Sequence, residues 1–235
     1  MKILGLQKLT LLDFPGKVAC TVFLNGCNFR CPFCHNSELL EADTQPIMET
    51  EEFLTFLKRR QGILDGVCIT GGEPTLHSDL LPLLRQIRAM GFQIKLDTNG
   101  YRPEVLRAIV TEGLTDYVAM DVKNGPQQYG YTIGLPSPDL KKLEESIYFL
   151  MENHVDYELR TTVAEPLHDD TSIRAMCQWL LSIGDGRQAK RLFVQPFVDR
   201  DTVPTAGLRA PDIATLTAFI DILKPCAEYV ALRGE

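Results

Sequence analysis

Six short runs of apolar and β-branched residues, at 18–25, 66–70, 92–98, 117–122, 157–163 and 191–196, alternate with segments whose apolar residues recur at helical spacing. That alternation constrains the fold more than any other feature of the chain, because a strand that returns to the same sheet after a helix runs parallel to its predecessor with a right-handed crossover. An α/β sheet covered by helices follows. Thr50 is placed to cap a helix, with Glu51 and Glu52 in the first turn where carboxylates favour the positive end of the dipole, and Gly62 beyond its far end. Ser137-Pro138 opens another, in which Leu140, Leu143, Ile147, Leu150 and Met151 form one apolar face. The last helix carries Ile213, Leu216, Phe219, Ile220 and Leu223 before Pro225 stops it.

A flat doubly wound sheet would satisfy the same alternation. The polar motifs favour a curved one, because each follows the C-terminal end of a predicted strand: Cys27 to Cys34 after the first, Gly71 to Pro74 after the second, Asp97 to Gly100 after the third and Asp121 to Lys123 after the fourth. In barrel-type folds that rim is where sites assemble.

Cys27, Cys31 and Cys34 form a C-x3-C-x2-C run. Thiolates are soft donors suited to zinc, copper(I) or iron-sulfur clusters, and closed zinc or cluster sites draw four protein ligands. Three thiolates from one short loop leave a position open for something else. A structural zinc loop completed by the adjacent His35 is the competing reading, with poor geometry for neighbouring ligands. In Gly71-Gly72-Glu73-Pro74 the absent side chains let backbone approach a ligand closely, and the carboxylate offers an acceptor for an ammonium group; alone, a Gly-Gly after a strand is an ordinary turn. Asp97-Thr98-Asn99-Gly100 and Asp121-Val122-Lys123 put two carboxylates and an ammonium at successive strand ends, suited to a small cation or the polar groups of a cofactor, or otherwise to an Asx turn and a strand-end salt bridge.

The cysteine run, with Phe33 just before its third cysteine, resembles the cluster-binding signature of the radical S-adenosylmethionine (SAM) enzymes. With Gly71 to Pro74, Asp97 to Gly100 and Asp121 to Lys123 in order, the chain resembles the glycyl-radical-enzyme activases. Its opening, Gly5-Leu6-Gln7-Lys8 and then Asp13-Phe14-Pro15-Gly16-Lys17, is most similar to the anaerobic ribonucleoside-triphosphate reductase activating proteins. The resemblance implies a partial (β/α)6 TIM-type barrel formed by a single domain over 1–235. It also implies one 4Fe-4S cluster held by Cys27, Cys31 and Cys34, whose fourth iron takes the amino and carboxylate groups of SAM. Reductive cleavage of SAM would then give a 5'-deoxyadenosyl radical that abstracts a hydrogen, so that no side chain is itself catalytic.

By the same resemblance Phe33 lies against the adenine, His35 and Asn36 support SAM and the loop, and Gly71, Gly72 and Glu73 receive SAM, Glu73 taking its amino group. Asp97, Thr98 and Asp121 would lie near a monovalent cation beside SAM, with Asn99 in the same motif, and Lys123 would contact the cofactor or the target. Arg160, with Thr161 and Thr162, and Gln195, with Phe197, are candidates for the adenosyl end. The implied partners are a glycyl-radical enzyme, foremost the class III ribonucleotide reductase, and a flavodoxin- or ferredoxin-type electron donor. The segment from Asn36 to Asp65 contains no cysteine, so no second cluster module is expected.

Composition agrees and narrows the options. At 235 residues and 45% hydrophobic content a sizeable core is expected without a visible linker or repeat, and a net charge of −7 disfavours nucleic acid as a partner. No signal peptide or apolar run of membrane-spanning length is read, and seven cysteines with three in one loop fit a reducing, cytoplasmic compartment. Cys20, Cys68, Cys177 and Cys226 read as buried core thiols; His77, His154 and His168 read as solvated or capping. The alternatives are a radical SAM enzyme acting on a small molecule or peptide, such as a carbon-insertion or deazapurine-type synthase, the activase of another glycyl-radical enzyme such as a formate-lyase type, and a non-enzymatic zinc-binding interaction module.

Overall fold

The computed structural model describes residues 1–40 and 44–233. The chain forms two compact units, Met1–Asn28 with Asn36–Ala119, and Phe29–His35 with the chain from Met120 onward.

In the first unit β1 (Ile3–Thr10) pairs antiparallel with β2 (Ala19–Leu24). α1 (Thr50–Lys58) then leads to β3 (Gly66–Gly71), α2 (Leu80–Ala89) to β4 (Gln93–Thr98), and α3 (Pro103–Thr111) to β5 (Tyr117–Asp121), the strand that carries the chain into the second unit. β2, β3 and β4 are parallel, in the register Thr21 to Cys68 to Lys95. Side chains alternate across a strand. One set of β-strand positions therefore carries Val22, Val67, Ile69, Ile94 and Leu96 into the core, while Thr21, Cys68 and Lys95 share the opposite face. The helices bury Phe53, Leu54 and Leu57 of α1, Leu80, Leu83, Leu84 and Ile87 of α2, and Leu106 and Ile109 of α3.

In the second unit α4 (Pro126–Ile133) and α5 (Leu140–Glu152) precede β6 (Asp156–Val163). α6 (Asp170–Ile183) follows, then β7 (Leu192–Pro196), α7 (Ile213–Leu223) and β8 (Val230–Leu232). β6, β7 and β8 are parallel neighbours, and α6 packs on α4, α5 and α7.

All six sequence-predicted strands are present, and two more were not foreseen. β1 shows no alternation in sequence, because Gln7, Lys8 and Leu9 are exposed in succession while only Ile3 and Thr10 at its two ends are buried. β8 has only three residues, too few for a period to show. Helix starts shift slightly: Glu49, not Thr50, caps α1, with its N–H donated to Glu52 Oε2 at 2.8 Å, and Asp139 caps α5, leaving Ser137-Pro138 just outside. Pro225 does sit beyond α7, in a short 3-10 turn at Lys224–Cys226. Among the described residues no helix is long and apolar enough to cross a membrane.

Candidate functional site

Each unit gathers its sequence-predicted polar residues at the C-terminal ends of its parallel strands. In the first unit β3 ends at Gly71 with φ +129, a conformation open to glycine, and Gly72 then lies against the turn after β2. Gly72 N donates to Leu24 O at 2.9 Å and Glu73 N to Gly26 O at 2.7 Å. A Cβ on Gly72 would stand 1.9 Å from Gly26 O, so only glycine lets this turn seat directly before Cys27.

Glu73 is 1% exposed and ties this turn to the end of β4. Its Oε1 accepts from Thr75 N at 3.0 Å, Thr75 Oγ1 at 2.5 Å and Thr98 Oγ1 at 2.8 Å; Oε2 accepts from Asn99 N at 2.6 Å. Burial raises its pKa, and the four donors work against that rise. Oε2 takes only the Asn99 N–H of these four bonds, so it keeps acceptor capacity for an ammonium group. Asn99 extends the chain of contacts to the cysteine loop: its Nδ2 donates to Asn28 Oδ1 at 2.8 Å and lies 3.8 Å from Cys27 Sγ. Asn28 Nδ2 is buried without a hydrogen-bond partner. Asp97 is paired with Lys95, whose Nζ also lies 3.6 Å from Cys68 Sγ. Asn36 is half-buried, and its carbonyl accepts from Leu39 N at 3.0 Å.

In the second unit Cys31 is nearly buried, Cys34 half-buried, and Cys34 N donates to Cys31 O at 3.1 Å. This stretch is anchored by its neighbours. Arg30 N donates to Ile133 O at 2.8 Å, Thr205 N to Pro32 O at 3.2 Å, and Thr202 Oγ1 to His35 O at 2.7 Å. His35 stacks on Phe197 at 5.6 Å between ring centroids, and its Nε2 lies 2.8 Å from Val198 O. Its pKa is lowered by burial, which outweighs the Val198 carbonyl, with Arg200 and Lys123 adding to the depression.

Asp121 at the end of β5 meets Lys123 Nζ at 2.8 Å and Arg160 Nε at 3.0 Å. Burial alone would raise the Asp121 pKa, but the two cations hold it down at about 2. Lys123 Nζ also lies 5.8 Å from the centroid of the Phe33 ring, a cation–π distance. Burial would lower the Lys123 pKa, yet Asp121 and Cys31 raise it on balance. Gln195 is half-buried on β7, in register with Thr162 beside Arg160 on β6, and Thr161 Oγ1 is buried without a partner.

Two residues escaped the sequence reading. His168 is not solvated: it is 3% exposed, edge-on to Phe33 at 6.2 Å. Ala164 N donates to its Nδ1 at 3.1 Å, which assigns the proton to Nε2 and makes Nε2–H the donor to Lys123 O at 2.8 Å. Burial lowers its pKa and keeps the ring neutral. A lone histidine among acids gives no sequence signal of this role. Lys95 did leave one, since a charge inside the apolar run Ile94-Lys95-Leu96 demands a buried partner. His77, read as capping, does end the turn Pro74–Leu76, and its Nε2 lies 2.8 Å from Asn25 O. Cys20, Cys68, Cys177 and Cys226 are buried, although Cys68 faces Lys95 rather than hydrocarbon alone.

Among the described residues no three Cys, His, Asp or Glu side chains converge as a filled metal centre would hold them. The donor chemistry nevertheless suits a cluster: three thiols within eight residues, none of them in a disulfide, interleaved in sequence with the buried Phe29 and Phe33, and an amide nitrogen 3.8 Å from Cys27 Sγ. A buried carboxylate beside two close-approach glycines suits the charged end of SAM.

Comparison with known proteins agrees with this chemistry. The profile described as the Radical SAM superfamily matches residues 21–179. A protein of Methanocaldococcus jannaschii assigned as a glycyl-radical enzyme activating enzyme is 34% identical over 175 residues, covering 72% of this chain and 71% of that one. The pyruvate formate-lyase-activating enzyme of Clostridium pasteurianum is 30% identical over 128 residues, 52% of each. A radical SAM methyltransferase from Sphaerobacter thermophilus superposes with a TM-score of 0.71 over 96% of this chain and 69% of that one; at 15% identity the likeness is one of fold.

Proposed function

The chain belongs to the Radical SAM superfamily and, within it, to the glycyl-radical-enzyme activating enzymes, with their α/β partial-barrel fold, and on that footing we propose that its target is the class III ribonucleotide reductase. The family uses a 4Fe-4S cluster and SAM, which together supply the 5'-deoxyadenosyl radical. We assign Cys27, Cys31 and Cys34 to the cluster. We also propose that the chain works as a single domain.

This chain's own residues bind and orient. Glu73 Oε2 receives the SAM ammonium, and Gly71 and Gly72 admit its methionine end to the backbone. Phe33, steadied by His168 and capped by Lys123, gives the adenine a flat apolar surface. Arg160, tied to Asp121, and Gln195 serve the adenosyl end, and Lys123, tied to the same carboxylate, contacts the cofactor or the target. His35 and Asn36 hold the loop, His35 through Phe197 and the Val198 carbonyl.

The observation that carries the target is the opening Gly5-Leu6-Gln7-Lys8 and Asp13 to Lys17, here the strand β1 and the turn into β2, where Thr21 Oγ1 donates to Asp13 Oδ2 at 2.5 Å. The formate-lyase type target is the second reading, favoured by the Clostridium pasteurianum relative. Incubating the reduced, cluster-loaded chain and SAM with each purified enzyme in turn separates them. An organic radical on the reductase alone supports the proposal; a radical on the formate-lyase type enzyme alone replaces it. We further propose a cytoplasmic location and a flavodoxin- or ferredoxin-type donor.

A further inference from the structure

The monovalent cation implied at Asp97, Thr98 and Asp121 does not fit these residues. Lys95 and Asp97 lie two apart on β4 and so on one face of the strand. The Lys95 side chain is 3% exposed and that of Asp97 15%, and the two form a direct ion pair. The register places Cys68 beside Lys95 on the next strand, and the thiol takes a second contact with the ammonium at 3.6 Å. Thr98 Oγ1 is also committed, donating to Glu73 at 2.8 Å and accepting from Gly100 N at 3.1 Å. Within the second unit Asp121 already faces two cations, Lys123 and Arg160. An alkali ion against Asp97 would stand next to an ammonium, and one against Asp121 next to an ammonium and a guanidinium. Like charges at such separations repel strongly in a partly buried setting.

We propose that this chain dispenses with the ion, and that Lys95 is its covalently tethered replacement, a positioning residue that neutralises Asp97 and so holds the Asp97-Thr98-Asn99 strand end in its SAM-binding geometry. The role rests on the cofactor-site reading above. It predicts a difference in kind from any enzyme whose carboxylates at this place lack a lysine: salt identity does not matter here. A lysine in a strand interior, where it loses hydration, is retained only with a fixed partner. Asp97 is that partner.

Two measurements on the anaerobic, cluster-loaded chain test this without the target enzyme or turnover. In equilibrium dialysis with radioactive rubidium, the native chain retains no tightly bound ion with or without SAM; stoichiometric retention overturns the proposal. SAM affinity is then measured with potassium exchanged for tetraethylammonium at constant ionic strength. The native chain binds equally in both, whereas Lys95→Met loses about tenfold in tetraethylammonium, the scale of one charge-assisted hydrogen bond, and recovers in potassium as the ion takes the vacated place. A native chain that needs potassium, or a folded, iron-replete Lys95→Met that binds equally in both salts, refutes the role. Should Lys95→Met not fold, the native arms decide. Failure of SAM to bind in any salt would instead condemn the cofactor-site reading, and the rubidium result would still stand.

Discussion

Replacing Gly72 by alanine strikes the joint between the Gly71 to Pro74 turn and the cysteine loop. The added Cβ would meet Gly26 O at 1.9 Å and Gly26 C at 2.5 Å, both backbone atoms that no rotamer change can move aside. Ordinary contact needs roughly 3.5 Å, so the turn must withdraw by more than an ångström. That withdrawal breaks the bonds from Gly72 N to Leu24 O and Glu73 N to Gly26 O. Two hydrogen bonds at about 0.5–1.5 kcal/mol each, plus about 1–3 kcal/mol for overpacking, give a loss of about 2–6 kcal/mol, a large share of a typical domain's stability of about 5–15 kcal/mol. Gly113→Ala is the control, because Gly113 has φ +67 but nothing within 4 Å of its would-be Cβ. It should lose only the left-handed strain of about 1–2 kcal/mol. Urea unfolding of both variants as reduced, cluster-free chains makes the comparison. A Gly72→Ala midpoint shift no larger than that of Gly113→Ala would refute the reasoning.

Other substitutions separate the roles of individual side chains. Cys27→Ala, Cys31→Ala or Cys34→Ala should abolish cluster assembly, while Cys20→Ser, Cys177→Ser and Cys226→Ser keep the iron; iron loss in Cys177→Ser equal to that in Cys31→Ala would overturn the ligand assignment. Glu73→Gln keeps the cluster but weakens SAM binding by about ten- to a hundredfold, the loss of one charge-assisted hydrogen bond, and unchanged affinity would move the ammonium contact elsewhere. Asp121 is depressed from 3.8 to about 2. A depressed carboxylate stabilises the fold above its unfolded pKa and loses that contribution as pH falls through the folded one, here about 2 kcal/mol between roughly pH 4 and 2. Acid titration of stability should therefore show a shallower slope in Asp121→Asn over that window, and an unchanged slope would mean the ion pairs with Lys123 and Arg160 contribute nothing.

The strand–helix alternation and the motif positions were legible because both are local: period, caps and turn residues sit within a few positions of one another. All six predicted strands and the glycine turn of Gly71 and Gly72 follow from such signals. What the sequence hid depends on partners far along the chain. His168 reads like any surface histidine until β6 and α6 bury it against Phe33 and the Lys123 carbonyl. Asn99 reads as a turn residue, yet its amide reaches Asn28 and Cys27, more than seventy positions away. Glu73 reads as a ligand carboxylate, and the structure adds four donors of its own, which make it a clamp between two strand ends as well. The helix α4 was obscured by Gly130 within it, a position where a Cβ would stand 2.6 Å from Leu135 O.

Activation of a glycyl-radical enzyme requires that hydrogen leave a backbone glycine of the partner and arrive on the adenosyl carbon, with the two atoms near contact. The direct measurement uses class III reductase prepared with glycine deuterated at its α carbon, incubated anaerobically with the reduced chain and SAM. Deuterium should appear in the 5'-deoxyadenosine product, and the organic radical on the reductase should lose the hyperfine doublet seen with ordinary glycine. Deuterium-free 5'-deoxyadenosine with no radical on the reductase, while a small molecule is consumed in step with SAM, would contradict the account.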